Sequence, residues 1–328
     1  MNNQISIIGL GQIGTSIGLA LEEYQDQVVR IGHDKHRETA KQAKSMGAVD
    51  NIPITLSGAV KDADLIILAV PLSEMEEMIE LVSRDLKPGS LLVDTAPLKS
   101  PVSNWVEKHL PEHSEYVGLT PVLGVDYLHE AESGIDAGRA DLFEGCLMAV
   151  IGTSKSSTEA INAASNLVGL VGAEPYFIDA VENDGLMSMV HVLPRLMSAV
   201  LLRITQQAPG WRDARKIAGK PFAQVTLPIL PDDAPASLSA ELLQNVENSE
   251  RLIDDLIREL VVLKDELRAA DLEEMSEKYL EMQKARDLWW KDREEGHWKG
   301  EGSAPIPRRN LAAQIFGIGG RRKNTRER

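Results

Sequence analysis

A glycine-rich segment near the start of the chain contains the first residues whose spacing points to chemistry. It directly follows the apolar run from Ile5 to Ile8. In a Gly-x-Gly-x-x-Gly pattern the first glycine permits a tight turn, the second lets backbone approach a pyrophosphate, and the third lets helix and strand pack closely. The N-terminus of the following helix offers free N–H groups to phosphates. We therefore expect a dinucleotide to bind at these residues: Gly9, Gly11, Gln12, Ile13 and Gly14.

An acidic residue stands where this interpretation needs one. Asp34 follows the next apolar run, Val28 to Ile31, and lies 20 residues after Gly14. A carboxylate at that place accepts hydrogen bonds from the adenosine ribose hydroxyls and repels a 2′-phosphate, which favours NAD over NADP. The neighbouring basic residues His33, Lys35 and Arg37 partly offset this repulsion.

Alternating strand-like and helix-like segments position these residues. Short apolar runs alternate with amphipathic stretches of about 10 to 15 residues, which is typical of βαβ units on a parallel sheet. The chain therefore belongs to the α/β class, with a doubly wound Rossmann-type sheet over residues 1–180. The segments expected as strands are Ile5–Ile8, Val28–Ile31, Asp64–Val70, Leu91–Asp94, Glu115–Leu119, Leu147–Gly152 and Glu174–Ile178.

Helical periodicity dominates the second part of the chain, over residues 181–295. Helices are expected over Leu186–Gln206, Ser237–Leu267 and Leu272–Trp290, with Pro221–Pro235 as a connection. An apolar stripe on long helices that cannot close a core alone predicts an all-helical domain that forms a homodimer. Residues 296–328 are rich in Gly, Pro and Arg and are expected to form a disordered basic tail.

The composition excludes several classes of protein. The 328 residues carry a formal charge of −15, which argues against binding to nucleic acid. Cys146 is the one cysteine, and the histidine spacing matches no metal site, so we expect neither a disulfide nor a metal. No apolar run reaches the roughly 18 residues that span a bilayer, and no signal peptide is visible, so a cytoplasmic location without membrane contact is expected.

Several further motifs resemble the prephenate/arogenate dehydrogenase family. Through about residue 260, the motifs that carry the resemblance are Gly9–Gly14, Leu68-Ala69-Val70-Pro71, Asp94 with Lys99, Ala140–Gly145, Leu193-Pro194, Gly210–Asp213 and Ile217-Ala218. The resemblance implies a Rossmann domain and a helical dimerisation domain. It also implies hydride transfer from a ring carbinol to NAD, coupled to loss of a carboxylate as the ring becomes aromatic. Val70 and Pro71 would line the nicotinamide side.

The polar positions of the family's site differ in this chain. Thr120 stands where family members have a histidine that contacts the ring hydroxyl, and Pro97 stands where they have a serine. A threonine hydroxyl forms hydrogen bonds but does not take up a proton near pH 7 as imidazole does. His191 lies one position before the family's helix histidine, and Lys216 replaces a family arginine.

These replacements leave candidate residues and more than one candidate function. Thr120, His191 and Lys99 are the candidates for hydroxyl contact and proton transfer, and the candidates for holding carboxylates are Arg195, Arg212 and Lys216. For each of them a structural role, such as a packed histidine or a salt bridge, remains an alternative. The chain is interpreted as an NAD-dependent dehydrogenase of the prephenate type. A dehydrogenase of a different carboxylate substrate and a non-catalytic dinucleotide-binding regulator stay open.

Overall fold

The protein is described by a computed structural model that covers residues 3–130, 132–229, 234–269 and 271–296. The chain divides into two compact units, one ending at Asn183 and the other beginning at Asp184. The division therefore falls inside a helix, Ala180–Met187, and not in a linker.

A seven-stranded sheet forms the first unit, in the order β2-β1-β3-β4-β5-β6-β7. Its strands are β1 Asn3–Ile8, β2 Val28–His33, β3 Leu65–Leu68, β4 Leu91–Asp94, β5 Glu115–Pro121, β6 Leu147–Ile151 and β7 Glu174–Phe177. Strands β1 to β5 pair in parallel, which confirms the expected Rossmann-type sheet.

The far end of the sheet departs from the parallel arrangement of strands β1 to β5. Strand β6 runs antiparallel to β5, and β7 then runs parallel to β6. The reason lies between Pro121 and Leu147, where the described chain forms only short 3₁₀ turns and no crossover helix. Without a crossover the chain returns to the sheet from the end at which β5 finishes, so β6 must run in the opposite direction to β5.

Six helices cover the two faces of the sheet. They are α1 Gln12–Ala20, α2 Arg37–Ser45, α3 Leu56–Val60, α4 Leu72–Ser83, α5 Ser100–His109 and α6 Thr158–Leu170. Across the sheet, the chain moves from β1 to β2 in one direction and from β3 through β4 to β5 in the other. Right-handed crossovers therefore place α4 and α5 on the face opposite α1. Strands β3 and β4 are buried at every residue, as their continuous apolar runs predict, whereas the edge strand β7 leaves Tyr176 and Phe177 exposed.

The two faces have different chemistry. Alternate residues such as Ile7, Ile67, Val93 and Leu119 join the apolar core beneath α1, α2 and α6. The residues between them point to the other face and include buried polar groups: Ser6, Asp94, Tyr116 and Thr120. Of these, Asp94 and Thr120 lie at or near the carboxyl ends of β4 and β5, where ligands bind in this class of fold.

Helices make up the rest of the described chain. They are α7 Ala180–Met187, a π-helical segment Ser188–Val192, α8 Leu193–Gln207, α9 Trp211–Ile217, α10 Lys220–Thr226, α11 Ala234–Gln244, α12 Val246–Ala269 and α13 Leu272–Glu295.

Two expectations about these helices were wrong in detail. The single helix expected over Ser237–Leu267 is interrupted at Asn245, whose side chain donates to Ser188 Oγ at 2.7 Å. An asparagine that bonds outside its own helix competes with the helical ladder. The expected Pro221–Pro235 connection contains part of α10, because Pro221 occupies the first turn, where a missing N–H costs nothing.

One helical stretch, Ala180–Gln207, is long and apolar enough to cross a bilayer by length and composition, with a mean hydropathy of 1.5. Core and interface helices of soluble proteins pass the same test, so the expected lack of membrane contact stays a prediction. The basic tail expected over residues 296–328 lies outside the described residues apart from Gly296, which ends α13 in the left-handed conformation.

Candidate functional site

The glycine loop joins β1 to α1 at the carboxyl edge of the sheet. Gly9 has a φ of +90°, and a Cβ atom there would overlap the carbonyl oxygen of Ala69. A Cβ atom at Gly14 would overlap the carbonyl oxygen of Gly9. At Gly11, in contrast, a Cβ atom would meet nothing within 4 Å. Two glycines are thus required by the fold, while Gly11 borders open space at the start of α1, which suits a pyrophosphate.

Asp34 fixes the neighbouring loop. Its carboxylate accepts hydrogen bonds from the backbone N–H of Leu10 and of His36, both at 2.8 Å. The acid therefore lies at the end of β2 beside the glycine loop, in the position that a ribose-binding carboxylate takes in this fold. Val70 and Pro71 follow β3, and Val70 lies next to Gly9.

The basic residues around Asp34 have other partners. Lys35 forms an ion pair with Glu74. The Arg37 guanidinium donates to the carbonyl oxygens of Ile52 and Pro53. Burial lowers the pKa of His33, which keeps its imidazole neutral near pH 7. The positive charges that would favour a 2′-phosphate are therefore largely engaged elsewhere.

Thr120 lies near the end of β5 and is 3% exposed. Its hydroxyl oxygen is buried and has no hydrogen-bond partner. Such a group costs free energy, since it loses its hydrogen bonds to water and gains none in the protein. An unpartnered hydroxyl at the carboxyl end of a strand is a group that a ligand would satisfy.

Lys99 is fully buried together with Asp94. The ammonium donates to Asp94 Oδ1 at 2.7 Å, and the Tyr116 hydroxyl donates to Asp94 Oδ2 at 2.5 Å. A Cβ atom at Gly118 would lie 3.0 Å from the Lys99 side chain, so the lysine crosses the strand at the glycine. In this structure the ammonium is committed to an internal ion pair, and its role in proton transfer stays a prediction.

The second unit contains a buried charge cluster that the sequence analysis did not identify. Glu241 on α11 is 1% exposed and accepts from Arg195 Nη1 at 2.7 and 2.5 Å. Ser237 donates to Glu241 at 2.9 Å, and His191 Nε2 lies 3.5 Å from the same carboxylate. Arg195 was expected to hold a substrate carboxylate, and it holds a protein carboxylate here. The sequence feature that could have identified Glu241 is its position three residues after Leu238, which places this acid on the buried face of α11.

The remaining cationic candidates are exposed on α9. Lys216 pairs with Asp213 of the same helix at 2.7 Å, and Arg212 lies one residue before that acid. Trp211 anchors the helix by packing against Phe222, with ring centroids 5.7 Å apart. Nothing in the geometry of α9 by itself assigns these cations to a ligand.

Within the described residues no group of three or more His, Cys, Asp or Glu side chains is arranged to hold a metal ion. Cys146 is a free cysteine and is buried.

Comparison with known proteins gives a consistent result. The family model of the prephenate dehydrogenase nucleotide-binding domain matches residues 17–177. Prephenate dehydrogenase of Bacillus subtilis is 26% identical over 84% of this chain and 73% of its own. Cyclohexadienyl dehydrogenase of Zymomonas mobilis is 25% identical over 86% of this chain and 94% of its own.

Solved structures agree at the level of the fold. The structure of A. aeolicus prephenate dehydrogenase, in complex with hydroxyphenyl propionate and NAD+, aligns with a TM-score of 0.73 at 21% identity. The alignment covers 88% of this chain and 98% of that one, so both the sheet and the helical part are included.

Proposed function

The chain belongs to the prephenate dehydrogenase family, and from that premise we propose that it is an NAD-dependent dehydrogenase of a cyclohexadienol, prephenate or arogenate. The reaction is an oxidative decarboxylation in tyrosine biosynthesis. The observation that carries the proposal is the glycine loop, in which Gly9 and Gly14 are sterically required and Gly11 faces open space.

Bound NAD+ would supply the acceptor for the hydride that leaves the substrate's carbinol carbon. The carbinol O–H proton leaves to a base, and the ring carboxylate departs as carbon dioxide while the ring becomes aromatic. The protein must therefore hold the dinucleotide, contact the hydroxyl, receive one proton and bind the remaining carboxylate. Gly11 and the N-terminus of α1 would hold the pyrophosphate, Asp34 the ribose hydroxyls, and Val70 and Pro71 would border the nicotinamide.

The contacts around Asp34 support NAD over NADP. Two backbone N–H groups hold the Asp34 carboxylate in place, so that its negative charge would face the ribose. Lys35 and Arg37 are engaged with Glu74 and with backbone carbonyls, which limits their ability to attract a 2′-phosphate.

Among the candidates for the chemical step, Thr120 would donate a hydrogen bond to, or accept one from, the substrate hydroxyl. His191 would receive the proton, because its imidazole is 38% exposed whereas Lys99 is fully buried against Asp94. Arg212 and Lys216 would bind the substrate carboxylate. Arg195 would be a third cation for this carboxylate, and its guanidinium would then bond to both the substrate and Glu241.

Replacing Thr120 by Val separates a substrate contact from a packing role. Valine has nearly the same shape and removes the unpartnered hydroxyl, so we expect the free energy of unfolding to rise by about 1 kcal/mol. If the hydroxyl contacts substrate, kcat/KM falls by up to about tenfold. Urea unfolding and steady-state kinetics measure the two effects.

Thr15→Val is the matched stability control, because the buried Thr15 hydroxyl donates to Leu10 O at 2.9 Å. That variant should be destabilised by about 1 kcal/mol. Unchanged kinetics in Thr120→Val would remove Thr120 from the proposed site.

We also propose that the protein is a cytoplasmic homodimer that binds neither membrane nor nucleic acid. Apolar side chains remain exposed along the second unit's long helices: Ile253, Ile257, Leu260, Val261, Leu267, Tyr279, Leu280 and Met282. A second copy of the chain would cover such a surface. Sedimentation equilibrium should give twice the chain mass of 36.0 kDa, and a monomer at micromolar concentration would contradict the proposal.

The activity is tested by following NADH absorbance with NAD and either prephenate or arogenate, in wild type and in Gly11→Ala. Turnover in wild type and its loss in the variant support the proposal. Turnover only with other hydroxy acids would indicate a dehydrogenase of a different carboxylate substrate. Calorimetric NAD binding without turnover on any of these would indicate a regulatory dinucleotide-binding protein.

A further inference from the structure

The basic residues around Asp34 differ in their environments. His33 is kept neutral near pH 7, because burial lowers the pKa of its imidazole. Arg37 donates from Nη1 to two backbone carbonyls of the loop before α3, at 2.8 and 3.0 Å. Lys35 directly follows Asp34, and its ammonium forms an ion pair with Glu74, which lies 39 positions later in the chain. The fold therefore brings an acid from another element to the lysine beside the proposed ribose-binding carboxylate.

The Lys35–Glu74 ion pair connects two segments at the carboxyl edge of the sheet. Lys35 lies between β2 and α2, and Glu74 lies in the first turn of α4, which follows β3. Strand β1 lies between β2 and β3, and the glycine loop follows it. The chain advances from β1 toward β2 on one side and continues from β3 on the other, and such a reversal forms the crevice for a dinucleotide. The ion pair therefore joins the two segments that border this crevice.

Both members of the pair remain accessible to a ligand. The Lys35 side chain is 58% exposed and that of Glu74 is 34% exposed. Exposed ion pairs are weak, so a stronger anion competes with Glu74 for the ammonium. A phosphate monoester is such an anion, since it carries about two negative charges near neutral pH. In this fold a basic residue near the ribose-binding acid accommodates the 2′-phosphate of NADP, and Lys35 stands next to that acid.

We propose that Glu74 is a specificity-determining residue for the dinucleotide. Its carboxylate holds the Lys35 ammonium at α4 and so withholds it from a 2′-phosphate, which favours NAD over NADP. This inference rests on the proposed function, since it assumes that a nicotinamide dinucleotide binds at the glycine loop. An acid in the first turn of a helix also stabilises that helix through its dipole, but a purely structural role of this kind leaves the dinucleotide preference unchanged.

Calorimetric titration with NADP and with NAD tests this role in wild type, Glu74→Gln, Lys35→Met and the double variant. Glutamine keeps the length of Glu74 and suits the first helical turn, but it lacks the charge. We expect Glu74→Gln to bind NADP about tenfold more tightly than wild type and to bind NAD within about threefold of wild type. The double variant should bind NADP within about threefold of Lys35→Met, because the gain depends on the released ammonium.

Glu80→Gln is the matched control. It removes the same charge from the same helix, but the pair that it breaks is with Arg84 of α4, at 2.6 Å. Both dinucleotide affinities should stay within about twofold of wild type in this variant. The ratio of NADP affinities between Glu74→Gln and wild type should also decrease between about 50 and 500 mM salt, since ions screen the attraction between an exposed ammonium and a phosphate.

Two results would overturn the inference. One is an NADP affinity in Glu74→Gln that changes by less than about threefold, and the other is an equal gain in the absence of the Lys35 ammonium. The proposed function is tested separately by turnover of prephenate or arogenate. If NAD binds without turnover, the proposed reaction fails, and the NADP titrations still decide the role of Glu74. If wild type and Glu74→Gln bind neither dinucleotide, both proposals fail.

Discussion

Replacing Asp94 by Asn should lower the free energy of unfolding by about 3–5 kcal/mol, because it removes the negative charge that Asp94 places against the buried Lys99 ammonium. Both side chains of this pair are fully buried, and the nitrogen lies 2.7 Å from Asp94 Oδ1. The same carboxylate also accepts from the Tyr116 hydroxyl and from Ala96 N–H, so the loop after β4 loses its anchor as well. Urea unfolding followed by circular dichroism measures the change.

Two variants control this experiment. Replacing Asp94 by Leu together with Lys99 by Met removes both charges of the pair and should recover most of the lost stability, since neither of the two charges then has to be buried. Glu38→Gln breaks the exposed pair with Lys41 and should cost less than about 1 kcal/mol. A loss below about 1 kcal/mol in Asp94→Asn would show that the ammonium reaches water or another acid.

Replacing Gly11 by Ala should weaken NAD binding by at least about 100-fold, or about 2.7 kcal/mol, and leave stability unchanged. A methyl group at Gly11 meets no protein atom within 4 Å, yet it occupies the space through which a pyrophosphate approaches the backbone. Isothermal calorimetry with NAD and a thermal melt of the same sample separate the two effects.

Gly14→Ala should behave in the opposite way. Its methyl group overlaps the Gly9 carbonyl oxygen, so helix and strand must move apart, at a cost of about 3 kcal/mol or more. Gly185→Ala is the control, because Gly185 lies within α7 and its added Cβ also meets nothing within 4 Å. Normal NAD affinity in Gly11→Ala would place the pyrophosphate elsewhere.

Local pattern was enough to predict the tight turn of the glycine loop and most of the sheet. Strand β4 was predicted at its observed bounds, Leu91–Asp94. These features follow from short-range rules: apolar runs form buried strands, and glycines at fixed spacing permit one turn. Asp34 followed from the same reasoning, because its distance along the chain is set by one βαβ unit.

The partners of the buried charges depend on contacts between residues far apart in the chain. Glu241 meets Arg195 across 46 positions, and Tyr116 meets Asp94 across 22. Periodicity identifies the face of a helix or strand, but it does not say which opposite charge the fold brings to that face. Desolvation makes such pairing obligatory once a charge is buried, so the three-dimensional packing determines whether Lys99 and Arg195 point to a ligand or to the protein.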